Sequence, residues 1–149
     1  MLQRIQTVYL FISIIIAIVG TFLPIFYATG PDNMYSVTAW DFSFDSTSLI
    51  GGWPVLILLL LFIVMNGTTI FQFKSRTLQM TRIKASYLVL ALTIVAQGVL
   101  WYFWKNGDQL EVVPGWSFII PAVAFVFNVL AYRAIKKDDD LVKSVDRLR

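Results

Sequence analysis

Four long runs without Asp, Glu, Lys or Arg constrain this chain more than any other feature. A helix rises 1.5 Å per residue and the hydrocarbon core of a bilayer is about 30 Å thick, so a span needs roughly 20 apolar residues. The charge-free runs all reach that length and cover residues 5–31, 46–73, 85–104 and 112–132. They predict an all-α membrane protein, with one integral membrane domain over residues 1–149. Its four-transmembrane-helix bundle is predicted at about 5–27, 51–73, 85–104 and 115–133.

The first run could instead belong to a signal peptide, which would be removed. The apolar core of a signal peptide usually has about 7–15 residues and is followed by an A-x-A cleavage pattern. The run at 5–31 is longer and no such pattern follows it. We therefore expect this helix to be retained as an anchor.

The basic residues predict how the bundle is oriented. All Lys and Arg residues except Lys105 precede the first run, separate the second from the third, or follow the fourth. Cytoplasmic loops hold the excess of Lys and Arg, so both termini are predicted to be cytoplasmic. Indole rings prefer the headgroup layer. The five tryptophans all fall at or beyond the opposite, outer boundary: Trp40, Trp53, Trp101, Trp104 and Trp116.

The two predicted outer loops contain patterns typical of strands. In the first, the stretch 34–48 is predicted to form a strand, because Trp40, Phe42 and Phe44 alternate with polar residues and would share one face of an extended chain. In the second, Asn106-Gly107 suits the positive φ of a type I′ turn. Together they predict a small antiparallel β-sheet that joins the loops. The alternative is that the aromatic residues anchor unstructured loops in the headgroup layer.

Missing residue types exclude several classes of function. The chain has no cysteine and no histidine, which excludes thiol redox chemistry and removes the commonest proton shuttle. No acidic or basic residue lies within a run, whereas ion-coupled transporters need a buried charge. We predict no catalytic residue, cofactor or metal site, and no nucleic-acid partner. Four acids could converge on the outer face, Asp41, Asp45, Asp108 and Glu111, but their spacing does not require it.

Three polar residues within the runs are predicted to make contacts inside the bundle: Asn66, Gln97 and Asn128. Asn66 and Asn128 lie at similar depth because both helices run inward, so they could hydrogen-bond across the bundle. Such bonds are worth about 0.6–2 kcal/mol and usually serve packing. A polar substrate groove is the alternative, which Asn66→Leu with Asn128→Leu would test.

A faint internal repeat relates the second and fourth helices. Gly52-Trp53 precedes Asn66 by about the same distance as Gly115-Trp116 precedes Asn128. This pattern would make two hairpins of the same orientation, a parallel repeat. Chance similarity between two apolar segments is the alternative.

The last segment, 136–149, has the pattern of a short amphipathic helix. Asp138, Asp139 and Asp140 suit a helix start, and Asp139 can pair with Lys143 one turn later. The apolar stripe that follows consists of Leu141, Val142, Val145 and Leu148. A helix this short needs a surface, which could be lipid headgroups, the basic loop 74–84 or another protein. The aspartates disfavour anionic lipid. A frayed, solvated end is the alternative.

The two ends of the chain resemble a known family. The opening "MLQRIQTVYL" and the closing "KKDDDLVKSVDRLR" are similar to those of small four-helix inner-membrane proteins of Bacteroidota, classed as domain of unknown function 4293. The resemblance implies four spans in the bacterial cytoplasmic membrane. It implies no particular activity and identifies no catalytic residues.

The leading functional hypothesis is a non-enzymatic membrane subunit whose cytoplasmic ends dock a protein partner, such as a membrane-protein biogenesis or secretion assembly. The alternative is a lipid- or small-molecule-binding protein with a groove near Gln97. The sequence does not predict an oligomeric state. The residues predicted to bind the partner are Gln3, Arg4, Gln6, Asp138, Asp139, Asp140, Leu141, Val145, Asp146, Arg147, Leu148 and Arg149.

Overall fold

The structure, a computed structural model, describes residues 2–29, 34–41, 51–72, 75–107 and 111–146. Four long helices dominate it: α1 (Leu2–Phe22), α2 (Trp53–Phe71), α3 (Arg76–Gly107) and α4 (Ile120–Asp146). Three strands complete it: β1 (Pro24–Thr29), β2 (Met34–Thr38) and β3 (Glu111–Pro114). A short 3₁₀ turn, Trp116–Phe118, precedes α4. Both α1 and α3 pack against α2 and α4, so the helices form a four-membered ring.

All four helices are long and apolar enough to cross a membrane. Large apolar side chains on their outward faces are exposed, among them Phe11, Val64, Leu88 and Val126. Such a surface would be costly in water but suits contact with lipid tails. The polar residues Ser13, Ser86 and Thr93 are instead fully buried in the interior. The chain is therefore a multi-pass membrane protein, as the charge-free runs predict.

The sheet joins the two connections at one end of the bundle, which we call the sheet end. It is antiparallel with the order β2-β1-β3, and Tyr27 of β1 lies opposite Ser36 and Val113. The prediction that a small antiparallel sheet joins the loops is thus confirmed. The opposite end, where α1 begins and α4 ends, is called the terminal end.

The strands differ from those expected in the first loop. The prediction that helix 1 runs to residue 27 is wrong, because α1 ends at Phe22 and Pro24 begins β1. A residue before proline is pushed towards extended backbone, and proline is tolerated as the first residue of a strand. The strand predicted over residues 34–48 is confirmed only at its start, since β2 ends at Thr38 and Trp40 lies in the turn that follows. Phe42 and Phe44 lie outside the described residues.

The second loop departs from its predicted turn. Asn106 and Gly107 are the last residues of α3, so the type I′ turn predicted for them is wrong. Glycine is also common at the C-terminal ends of helices, and Gly107 is the last residue of α3. The chain then enters β3, which pairs with β1.

Two helices extend beyond their predicted bounds. α3 begins at Arg76 and not at 85, while the helix predicted at 115–133 and the tail helix form one helix, α4. A search for charge-free runs stops at the first charge. A helix need not stop there, because its backbone hydrogen bonds continue and residues such as Lys, Arg, Met and Leu favour helix.

Two glycines allow the helices to approach the sheet closely. A Cβ atom on Gly52 would lie 2.0 Å from the carbonyl oxygen of Thr38, and one on Gly115 would lie 2.3 Å from that of Pro24. The Gly115 amide donates a hydrogen bond to the Ile25 carbonyl at 2.8 Å. The glycines of both Gly-Trp pairs therefore meet strand backbone at the sheet end.

Candidate functional site

An ion pair at the terminal end fixes α4 to the start of α3. The Arg76 Nη2 lies 2.9 Å from the Asp138 Oδ2, and Nη1 donates to the Asp138 backbone carbonyl at 3.5 Å. Both side chains are largely but not wholly buried, with 26% and 14% of their surface exposed. The tail helix thus contacts the protein's own basic segment, one of the three surfaces considered for it. Sequence reasoning named that segment but did not identify Arg76.

The last part of α4, residues 136–146, lies beyond the charge-free run and is called the α4 extension. Within it the Lys143 Nζ lies 2.6 Å from the Asp139 Oδ2, which is the predicted pair one turn apart. Asp138 and Asp139 are thus both engaged in ion pairs within the chain. Asp140 is the exposed member of the three aspartates, so the acidic cluster offers a partner less charge than its sequence suggests.

Two apolar side chains on the α4 extension are exposed. Leu141 is 47% exposed and Val142 is 43% exposed. Asp146 ends the helix, but its side chain and that of Val145 lie outside the described part, as do residues 147–149. At the other terminus, Gln3 and Arg4 belong to the first turn of α1, and their side chains also lie outside it.

A small polar cleft lies at the base of the α4 extension. The Gln6 amide on α1 donates to the Ala134 carbonyl at 3.2 Å, and the Gln79 amide on α3 donates to the Thr69 carbonyl at 3.1 Å. The cleft measures ≈ 20 Å³, room for about one water molecule and too little for an acyl chain. Its lining consists of Gln6, Thr7, Leu10, Ile70, Arg76, Gln79 and Ile135.

The two interior asparagines donate to serines on neighbouring helices. The Asn66 Nδ2 lies 3.5 Å from the Ser13 Oγ, and the Asn128 Nδ2 lies 2.8 Å from the Ser86 Oγ. Both asparagines are fully buried. Neither side-chain carbonyl oxygen has a hydrogen-bond partner among the described residues. Asn66 and Asn128 thus join helices within their own hairpins, so the bond predicted between them across the bundle is wrong. The two serines were not identified from the sequence.

The two hairpins repeat this arrangement. In α1, Gln6, Leu10 and Ser13 have the same spacing as the residues Gln79, Ile83 and Ser86 of α3, and all six are buried. Each serine donates to the carbonyl three residues earlier, Leu10 or Ile83. Each glutamine donates to the backbone of the other hairpin's second helix. The structure therefore supports an internal parallel repeat.

Gln97 belongs to a separate polar contact nearer the sheet end. Its Nε2 donates to the Ser117 carbonyl at 3.0 Å, and the Ser117 hydroxyl donates to the Gly20 carbonyl at 3.1 Å. Gln97 and Ser117 are both fully buried. This amide joins α3, α1 and the 3₁₀ turn, and it does not line an open groove.

The acids of the sheet end do not form a common site in the part that is described. The Asp41 carboxylate accepts a hydrogen bond from the Thr38 amide at 2.9 Å, which closes the turn after β2. Glu111 is exposed at the start of β3, while Asp45 and Asp108 lie outside the described residues. Within the described ranges, no three His, Cys, Asp or Glu residues come together to hold a metal ion.

Comparison with known families agrees with this architecture. The family described as Domain of unknown function (DUF4293) matches residues 2–148. The chain belongs to this family. The resemblance inferred from the two ends is thereby confirmed over nearly the whole length. A search of curated proteins gave no match.

Proposed function

We propose that this DUF4293 protein is a non-enzymatic subunit of the bacterial inner membrane that docks a protein partner through the α4 extension. Both termini lie in the cytoplasm in this proposal, because the terminal end holds nearly all Lys and Arg residues. The partner is a cytoplasmic or membrane protein, and a membrane-protein biogenesis or secretion assembly is the class we propose.

The observation that carries the proposal is the exposure of Leu141 and Val142. Most other exposed apolar residues lie on the charge-free parts of the four helices, with exceptions such as Met34, Leu78 and Val113. The two side chains on the α4 extension instead follow Lys136, Lys137 and the aspartates, so charged residues separate them from the apolar part of α4. The extension has 11 residues and would project about 16 Å at the rise of an α-helix. Apolar side chains beyond the bilayer are best covered by another protein.

The ion pair of Arg76 with Asp138 supports this role. A segment that becomes ordered only on binding spends part of its interaction energy on lost conformational freedom. Here the extension is already helical and is already tied to α3 at its base. The partner therefore meets a rigid surface, while the pair one turn later, Asp139 with Lys143, stabilises the helix itself.

Site-specific photocrosslinking tests the proposal. A photoreactive residue is placed at Leu141 in the full-length protein, in native membranes, and the crosslinked product is identified by mass. We expect one partner to be crosslinked in near-stoichiometric amount, and the substitutions Leu141→Ser with Val142→Ser to abolish its co-purification.

Leu78 supplies the matched control. It is 54% exposed near the start of α3, so Leu78→Ser removes a similar apolar side chain at the same end of the bundle. This variant should keep the partner. Equal loss in both variants, or no discrete product from position 141, would refute docking through the α4 extension.

A further inference from the structure

We propose that the groove between α3 and α4 at the terminal end binds the phosphate of an anionic phospholipid. Four residues form what we call the tyrosine groove: Lys84 and Tyr87 on α3, and Tyr132 and Arg133 on α4. The site is separate from the α4 extension and does not depend on the docking role proposed for it.

The first argument is that two cations lie at the groove without acidic partners. Lys84 and Arg133 are exposed. Within the described ranges neither has a carboxylate at ion-pair distance, while Asp138 and Asp139 pair with Arg76 and Lys143. Basic pockets between transmembrane helices are the usual sites for anionic headgroups.

The second argument is that aromatic side chains hold these groups in place. The Lys84 Nζ lies 5.6 Å from the centre of the Tyr132 ring, within the range of a cation–π contact. The Tyr87 hydroxyl donates to the Asn128 carbonyl at 3.4 Å, which fixes its ring beside its electrostatic neighbours Tyr132 and Arg133. Tyr87 gives its single O–H to the Asn128 carbonyl, so the Tyr132 hydroxyl is the donor that remains for a phosphate oxygen.

Depth is the third argument, and it selects a lipid over a free phosphate. Lys84 and Arg133 directly bound the charge-free runs of α3 and α4, which places them at the headgroup layer. About one helical turn closer to the bilayer centre, Tyr87 packs against Phe125 with ring centres 5.0 Å apart. Leu88, at the same level, is 64% exposed. A phosphate at the two cations would therefore have its acyl chains on an apolar surface.

Native mass spectrometry of the full-length protein tests the site. The protein is released from nanodiscs that contain phosphatidylglycerol and phosphatidylcholine, and the retained lipids are counted. We expect preferential retention of phosphatidylglycerol, and Lys84→Gln with Arg133→Gln to weaken it by about tenfold or more. An excess of inorganic phosphate should leave the lipid bound, and displacement by phosphate would overturn a lipid-specific site.

The control variant, Arg82→Gln with Lys105→Gln, removes the same charge outside the groove and should retain the lipid. Equal loss in both double variants would show a general charge effect and overturn the proposal. Tyr132→Leu keeps both cations but removes the ring beneath Lys84 and one donor. It should weaken retention of phosphatidylglycerol several-fold with unchanged thermal stability in neutral detergent. Retention equal to that of the wild type would contradict the role of Tyr132 in the tyrosine groove.

Discussion

The buried pair of Ser86 and Asn128 provides a sharp test of how polar contacts stabilise this bundle. The Asn128 Nδ2 donates to the Ser86 Oγ at 2.8 Å, and the Ser86 hydroxyl donates to the Ile83 carbonyl at 2.7 Å. The carbonyl oxygen of the Asn128 side chain has no partner among the described residues. Removing one partner or the other should therefore have different consequences.

Ser86→Ala leaves the Asn128 side chain buried with neither its NH2 group nor its carbonyl oxygen hydrogen-bonded. A buried polar group that loses its partner costs about 1–3 kcal/mol, so we expect the free energy of unfolding to fall by about that amount. Asn128→Leu removes the bond, worth about 0.6–2 kcal/mol, but also removes the orphaned carbonyl oxygen. Ser86 keeps its bond to the Ile83 carbonyl, so this variant should lie within about 1 kcal/mol of the wild type.

Denaturation of the purified protein in mixed detergent micelles, followed by tryptophan fluorescence, measures both changes. The double variant should resemble Asn128→Leu alone, because no amide remains to be orphaned. The equivalent Ser13→Ala should cost less than Ser86→Ala, since the Asn66 contact is longer at 3.5 Å. If Asn128→Leu destabilised the protein more than Ser86→Ala, the reasoning would be wrong.

Further predictions concern the α4 extension and two of the glycines. Arg76→Gln should release the α4 extension and speed proteolysis after Lys137. It should lower the free energy of unfolding by about 1–3 kcal/mol, because it leaves the largely buried Asp138 carboxylate without its partner. Asp138→Asn should also release the extension, and limited proteolysis with thermal unfolding measures both variants. Gly52→Ala should destabilise the protein by several kcal/mol, since its Cβ would meet a backbone carbonyl at 2.0 Å. Gly98→Ala should be neutral or stabilising by up to about 1 kcal/mol in the same melts, because no atom lies within 4 Å of its Cβ.

The sequence predicts the spans because a bilayer imposes one simple requirement, a long run of apolar residues. The same requirement explains where the helix ends were misplaced. At residues 23–27 the chain is still apolar, but Pro24 turns it into a strand. The chain is charged before Ala85 and from Arg133 onward, yet α3 and α4 continue into these polar regions. Hydropathy indicates which residues lie within the bilayer, whereas proline and backbone hydrogen bonding decide where a helix ends.

The contacts of the candidate site depend on register, which a single sequence does not reveal. The Asp138 carboxylate and the Lys74–Lys84 region could be named as possible neighbours, but only the antiparallel packing of α3 on α4 brings Asp138 to Arg76. Likewise Asn128 could be recognised as polar within a span, while its bond to Ser86 follows from that same register. The sequence therefore identifies polar candidates, and tertiary packing selects their partners.

Cysteine accessibility tests the central claim most directly, because the chain has no native cysteine. Ser36 in β2 and Ser144 in the α4 extension are both exposed, and they lie at opposite ends of the bundle. In spheroplasts that express the full-length protein, a membrane-impermeant maleimide should label Ser36→Cys at once and Ser144→Cys only after lysis. Labelling of Ser144→Cys in sealed spheroplasts would contradict the account, since the α4 extension would then face away from the cytoplasm.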